Sequence, residues 1–281
     1  MKILVYSDSG YESMVNAFLA SRKYSNSEDV HVLYYTVGFE STLEYTNLTK
    51  IRWDLNTEKP DLTYYKPDIL IDGLNYDKHI LYMDCDIVLS KRFDPKKIIN
   101  ESYELPMSSS GPQDHVWIWK SFGEETIVYD ETKLMEYFGI AERSCKYLWA
   151  SMISYNDNCL DFLEEWKSIL LNPYLLKKKE IYFPFREETA YNITLWKRGC
   201  TDFFDLVFFN TTSFDSFLDI ETEENVVIDK FREYSLDNLD TRLYETCDDS
   251  SRVLFYHGFK PGKDLDSVVE WMKNKMTLEI E

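Results

Sequence analysis

From Lys2 to Leu89 the chain alternates short apolar runs with helical patterns, and this leaves few folds open to it. Lys2 to Ser7 reads as a strand. Glu12 to Ala20 reads as a helix after the Asp8-Ser9-Gly10 turn. Val30 to Tyr35 is a continuous apolar and aromatic run, the pattern of a strand covered on both faces. Pro67 to Leu74 reads as a short helix with proline in its first turn, where no backbone donor is needed. His79 to Met83 is a further strand. Strands that alternate with helices predict an α/β fold with a mostly parallel central sheet. Ligands of such sheets bind at the carboxyl ends of strands. The Ser7–Gly10 turn and the Asp84-Cys85-Asp86 segment both fall at such ends.

The second half is less regular. Lys146 to Tyr155 has a strand pattern. Asp157 to Leu171 has a helical one, with Cys159, Phe162, Leu163, Trp166 and Leu170 on one face. Glu187 to Trp196 reads as another helix, and Asp205 to Asn210 and Arg252 to His257 read as buried strands. Leu265, Val268, Val269, Met272 and Met276 form the apolar stripe of a last helix. No repeat, low-complexity segment or Gly/Pro-rich linker interrupts the chain, so residues 1–281 are expected to form a single domain.

With 44% hydrophobic and 16% aromatic residues, the chain can bury a full core. Its net charge of -19 repels nucleic acid and anionic lipid, so neither is an expected partner. The five cysteines are scattered and form no Cys-x-x-Cys, which argues against a zinc site and a disulfide framework. No stretch approaches the ~20 apolar residues of a membrane span, and the opening run is too short for a signal-peptide core. A reducing cytoplasm is the expected location.

The segment richest in chemistry is Leu81-Tyr82-Met83-Asp84-Cys85-Asp86-Ile87-Val88-Leu89. Side chains two apart on an extended chain point the same way, so Asp84 and Asp86 can converge. Two carboxylates that close repel unless a cation lies between them. Hard oxygen ligands suit Mg²⁺ or Mn²⁺, which complete their shells with water and substrate phosphates. The plainer reading is a turn at a strand end. Val253 to Tyr256 leads into His257, then Gly258, Lys260 and Pro261. Imidazole is a suitable third ligand for Mn²⁺, and Lys260 can neutralise phosphate oxygens as a mobile point charge.

These motifs resemble those of retaining glycosyltransferases of the GT-A fold, the glycogenin-like and lipopolysaccharide galactosyltransferase-like group above all. Besides Asp84-Cys85-Asp86 and His257-Gly258, the Tyr6-Ser7-Asp8-Ser9-Gly10-Tyr11 turn sits where that family binds uridine. Tyr65-Lys66-Pro67 sits where the family has a basic residue near the diphosphate. Glu187-Glu188-Thr189-Ala190-Tyr191-Asn192 fits the family's sugar-facing helix. The resemblance implies a hexose moved from a nucleotide sugar, UDP-glucose or UDP-galactose, to a glycan or other hydroxyl acceptor, with retention. It implies Asp84, Asp86 and His257 as ligands of Mn²⁺ or Mg²⁺, and Tyr6, Asp8, Tyr11, Lys66, Asp84 and Lys260 as donor-binding residues. It implies Glu188 and Glu187 at the anomeric carbon, and Trp149 and Ser151 at the acceptor.

The chain departs from the family in three places. Gly258 follows His257 directly, Trp149-Ala150-Ser151 replaces the usual Asn-Ala-Gly or Asn-Ser-Gly, and Glu188 stands where glutamine is common. Two other readings compete. Haloacid-dehalogenase-like phosphatases also carry Asp-x-Asp after an apolar strand, but on their first strand and with a later Gly-Asp-x-x-x-Asp; here the motif comes third in strand order and that segment is absent. A catalytically dead, carbohydrate-binding transferase fold is the non-enzyme alternative, and intact Asp84, Asp86 and His257 argue against it.

Overall fold

A computed structural model describes residues 1–25, 27–89, 94–98, 104–110, 118–120, 126–128, 132–145, 147–177, 187–200, 208–210 and 255–257. In chain order the strands are β1 (Lys2–Ser7), β2 (Val32–Val37), β3 (Leu48–Trp53), β4 (His79–Met83), β5 (Ile87–Leu89), β6 (Met107–Ser110), β7 (Ile118–Lys120), β8 (Thr126–Val128), β9 (Leu148–Asn156), β10 (Phe208–Asn210) and β11 (Phe255–His257). The helices are α1 (Glu12–Ser21), α2 (Lys66–Gly73), α3 (Thr132–Tyr137), α4 (Leu160–Leu170), α5 (Pro173–Leu176) and α6 (Glu187–Lys197). The fold is mixed α/β around a six-stranded, mostly parallel sheet. The expected final helix lies outside the described residues.

The chain divides into two compact units built from interleaved segments. Met1–Asn56, His79–Ile99 and Leu206–Glu281 make the first; Thr57–Lys78 and Asn100–Asp205 make the second. In the first unit four parallel strands run in the order β3-β2-β1-β4. β1 and β2 are buried along almost their whole length, as their unbroken apolar runs require. β3 is different. Its Lys50 and Arg52 face solvent, paired with Glu44 and Glu40 at 2.7 Å each, so this edge of the sheet is charged. Gly38 ends β2 in the left-handed region (φ 76°), from where its N–H donates to the Trp53 carbonyl.

Helix α1 packs Met14, Val15, Phe18 and Leu19 into the core. Its last residue, Ser21, donates to the Phe18 carbonyl and accepts from the Leu89 N–H at 3.0 Å. That contact anchors β5, the strand that follows the acidic pair. β5 pairs antiparallel with β11, which runs parallel to β10. Arg22 is buried and donates to the Ser27, Glu28 and Val30 carbonyls, fixing the loop that enters β2.

In the second unit β9 pairs antiparallel with β6 through an irregular register. Asn156 caps a 3₁₀ turn, Asp157–Cys159, that leads into α4. Phe162, Leu163, Trp166 and Leu170 of α4 and the Cys159 that precedes it are all buried, as the periodicity predicts. Tyr191 of α6 meets the Phe162 and Trp166 rings edge-on, at 5.5 and 4.9 Å. Cys85, Cys145, Cys159 and Cys200 are free thiols.

Asp68 of α2 receives the ammonium groups of Lys59 and Lys167, the latter at 2.8 Å. Burial pushes its carboxyl up, but the hydrogen bonds from Lys167 and Lys59 outweigh burial and hold it below the ordinary value. A carboxylate lowered in the folded state stabilises above its unfolded pKa, about 4. It loses that contribution as pH falls through the folded pKa. Asp68→Asn should therefore melt below wild type at pH 7, and the two should converge as pH falls below about 4. A series of thermal melts from pH 7 to pH 3 checks this.

Candidate active site

The strand order of the first unit sets up the first group of residues. β1 has β2 on one side and β4 on the other, so successive connections leave β1 in opposite directions. In doubly wound sheets the crevice at such a switch point takes the ligand. The chain leaving β1 is the Asp8–Tyr11 turn, and the chain leaving β4 is Asp84-Cys85-Asp86. Asp84 follows β4 directly, ahead of the Cys85–Asp86 turn, and does not lie on a helix. The acidic pair thus follows the fourth strand in chain order. The sequence reading placed it third because β3 escaped it. This position is not the first-strand position that a haloacid-dehalogenase-like phosphatase needs.

In the turn after β1, the Asp8 carboxylate accepts from the Gly10 N–H at 2.9 Å and caps a 3₁₀ turn, Ser9–Tyr11. One oxygen of Asp8 is thus engaged in holding the turn. Tyr11 is exposed, as a base-stacking residue must be. Tyr6 is buried, with its ring 5.9 Å from that of Tyr82 on the neighbouring strand. Ser7 shares a buried hydrogen bond of 2.7 Å with the Tyr34 hydroxyl, whose pKa burial pushes up.

Asp84 and Asp86 are both half-buried. The Tyr82 hydroxyl donates to Asp84 Oδ1. Tyr82 is fully buried, and burial followed by the nearby Asp84 charge keeps its phenol protonated, well above the ordinary value. Sequence reasoning missed this contact. The signal was present in the spacing, since Tyr82 lies two residues before Asp84.

His257 ends β11, and the antiparallel register sets it opposite Ile87, the residue after Asp86. Facing Cα atoms in such a pair lie ~5 Å apart and consecutive ones ~3.8 Å. The Asp86 and His257 backbones are therefore within about 10 Å. This donor set, two carboxylates and an imidazole, has the chemistry of a Mn²⁺ or Mg²⁺ site with positions left for water and phosphate oxygens. Among the described residues no three His, Cys, Asp or Glu side chains cluster tightly enough to hold a metal. The His257 side chain lies outside that description, and so does the whole of Lys260.

The second group lies within the second unit. Lys66, the first residue of α2, is buried and bonds Glu187 Oε1 at 2.8 Å and the Ala150 carbonyl at 3.1 Å. The next carboxylate, Glu188, accepts from the Ala150 N–H at 3.1 Å. The peptide groups of one β9 residue therefore fix a lysine and a glutamate, and the lysine fixes the second glutamate. Glu187 and Glu188 form the first turn of α6, where the helix dipole favours negative charge. Asn192, one turn on, is spent on structure: it accepts from the Leu148 N–H and donates to the Leu148 carbonyl, at 2.7 and 2.8 Å. The Trp166 indole donates to the Glu187 carbonyl at 2.9 Å. Ser151 is buried, and its hydroxyl has no hydrogen-bond partner among the described residues. Trp149 stands on β9 beside these residues in sequence, with its side chain outside the description.

No protein-family model and no curated protein matches this chain. Solved structures do. The apo structure of the bifunctional glycosyltransferase WbbM aligns with 98% of the chain at a TM-score of 0.59 and 12% identity, and the chain spans 50% of that protein. The galactosyltransferase LgtC, in complex with donor and acceptor sugar analogues, aligns at a TM-score of 0.54 and 13% identity, over 98% of this chain and 96% of its own. An active-site mutant of LgtC, glutamine to glutamate, aligns at 0.53 and 14%, with the same coverage. At these identities the likeness establishes the fold, that of the GT-A glycosyltransferases. Among the described residues no helix is long and apolar enough to cross a membrane.

Proposed function

We propose that this chain is a metal-dependent glycosyltransferase that moves a hexose from a nucleotide sugar, UDP-glucose or UDP-galactose, to a hydroxyl acceptor such as a glycan, with retention. The observation that carries the reading is the β5–β11 register. It brings a strand-ending histidine from far along the chain opposite Ile87, the residue after Asp86. The fold shared with WbbM and with LgtC, itself solved with donor and acceptor sugar analogues, supports it. The short spacing after His257 bears on the loop that carries Lys260 and not on the three ligands themselves.

In this reading Tyr11 stacks on the uracil and Asp8 accepts from its ring N–H with the oxygen left free by the turn. Tyr6, two residues before Asp8, belongs to the same donor-binding segment. Asp84, Asp86 and His257 hold the cation, and Lys260 meets the diphosphate as a mobile charge. Bound there, Mn²⁺ or Mg²⁺ supplies electrostatic stabilisation to the diphosphate leaving group. Glu188 faces the anomeric carbon, oriented by the Ala150 N–H. Glu187 stands beside it, and Lys66 carries one positive charge into that cluster. Trp149 offers a ring to a sugar face, and Ser151 a hydroxyl to the acceptor. Retention proceeds by one of two balanced routes. In the first, a Glu188 carboxylate oxygen bonds to the anomeric carbon as the bond to the diphosphate breaks; the acceptor oxygen then displaces the carboxylate and passes its proton to an oxygen of the diphosphate released in the first step. In the second, the acceptor attacks on the face the diphosphate leaves, and a leaving-group oxygen takes the proton.

A calorimetric screen of nucleotide sugars with and without Mn²⁺ tests the donor. Tight binding should require the metal and favour UDP-hexoses, and metal-independent or absent binding sinks the proposal. Product NMR then reads the anomeric configuration, and an inverted product rules out retention. Glu188→Gln separates the routes. It should lower kcat about 10³-fold or more if Glu188 is the nucleophile, the scale of losing a group that acts only in the transition state. Near-normal turnover leaves same-face attack.

A further inference from the structure

We infer that Tyr82 is a positioning residue for the cation site, setting the Asp84 carboxylate in the orientation that ligates the metal. The inference rests on the metal-site reading above and extends it to a residue that meets neither metal nor substrate.

The geometry is specific. Tyr82 is the penultimate residue of β4, and Asp84 follows the strand's end two residues on. The Tyr82 ring is buried to 1% exposure, and Tyr6 on the adjacent parallel strand packs against it, tilted 30°. Leu4 of β1 is the register partner of Tyr82, so the two rings are held by paired backbone. The hydroxyl at the end of this rigid stack has little freedom to move. It donates to Asp84 Oδ1. Asp84 is the residue that links the end of β4 to the Cys85–Asp86 turn. A phenol–carboxylate bond is charge-assisted and directional. It fixes the direction in which Oδ1, and with it the carboxylate plane, faces. Hydrogen bonds of this kind to ligating carboxylates typically alter metal affinity 10–100-fold.

The neighbouring features do not account for the arrangement as packing alone. A buried tyrosine needs a partner for its hydroxyl, and Tyr155 finds an ordinary one in the Leu70 carbonyl. Tyr82 instead spends its hydroxyl on a half-buried, charged side chain at the mouth of the sheet.

Tyr82→Phe removes the hydroxyl and keeps the ring. Mn²⁺ is titrated into the full chain, without and with UDP, and the free aquo ion is followed by electron paramagnetic resonance. Tyr82→Phe should bind Mn²⁺ about tenfold more weakly than wild type. Its UDP affinity should return to the wild-type value once Mn²⁺ is saturating. Tyr155→Phe, which also loses one buried phenol hydroxyl, should bind Mn²⁺ like wild type at a comparable loss of melting temperature. Wild-type Mn²⁺ affinity in Tyr82→Phe overturns the inference while the metal reading stands. A UDP affinity lowered equally at every Mn²⁺ concentration makes Tyr82 merely structural and overturns it too. Wild-type protein that takes up no Mn²⁺ is a different failure: it refutes the metal reading, and the positioning role falls with it.

Discussion

Asp86→Ala should weaken UDP binding in saturating Mn²⁺ by about 100-fold, a loss of roughly 2.7 kcal/mol, and His257→Ala should weaken it by less. Asp84 and Asp86 flank one residue, and the register of β5 with β11 sets His257 opposite the residue after Asp86. Two carboxylates at that spacing are mutually repulsive without a cation. In the proposed site, removing one carboxylate would take a charged ligand from the cation, and with it the positive charge that would offset repulsion of the diphosphate by a chain of net charge -19. His257→Ala removes a neutral ligand, so its effect should be the smaller of the two. In metal-free buffer both variants should bind UDP as weakly as wild type. Isothermal titration of UDP with and without Mn²⁺ makes the comparison, and affinities unchanged in both variants refute the assignment.

The second large effect falls on stability. Lys66→Met should destabilise the fold by about 3 kcal/mol or more, the usual cost of removing one partner from a buried ion pair. The Lys66 side chain is 3% exposed and that of Glu187 11%, so water cannot replace the lost ammonium. The Ala150 carbonyl loses a donor at the same time. For a chain this long the melting temperature should fall by about 6 °C or more. Glu187→Gln in the Lys66→Met background should restore much of the loss, because the orphaned charge is then gone. Thermal unfolding of the wild type, the two single variants and the double variant gives the coupling directly. A Lys66→Met protein that melts with wild type would mean that the pair contributes nothing to stability.

Local patterns carried most of the fold. β1 and β4 begin and end where their apolar runs do, at Lys2–Ser7 and His79–Met83. Pro67 places the start of α2 within a residue. β2 lies two residues later than its apolar run suggests, because Val30 and His31 belong to the loop that Arg22 pins. β3 was not legible. As a charged edge strand it alternates Lys50 and Arg52 with half-buried residues, and its period is visible only beside β2. Helix α4 starts three residues later than its periodicity implies, since Asn156 caps a 3₁₀ turn first.

The acidic pair and the terminal histidine stood out because their residue types at strand ends have few other uses. The bonds that organise the second group did not. Lys66 with Ala150, and Asn192 with Leu148, join residues far apart in the chain. No spacing rule predicts such contacts. The borders of the two compact units are also silent in the sequence: each unit is discontinuous, and no Gly/Pro linker marks the crossings.

The β5–β11 pairing has a consequence for biosynthesis. On the ribosome, β1, β2, β3 and β4 emerge before β11 and can pair as parallel neighbours while it is still untranslated. Ile87 must wait for Phe255–His257 to clear the exit tunnel, with the segments of the other unit made in between. Closing so long a loop adds little to the equilibrium cost, since each doubling of loop length costs only about 0.6 kcal/mol. It does slow assembly, because long-range pairing is the kinetically expensive kind. A nascent chain released before His257 keeps its earlier parallel strands and lacks the third ligand proposed for the cation. In the proposed metal reading, capacity for the cation arrives only once His257 is made, after the parallel strands that carry the two aspartates.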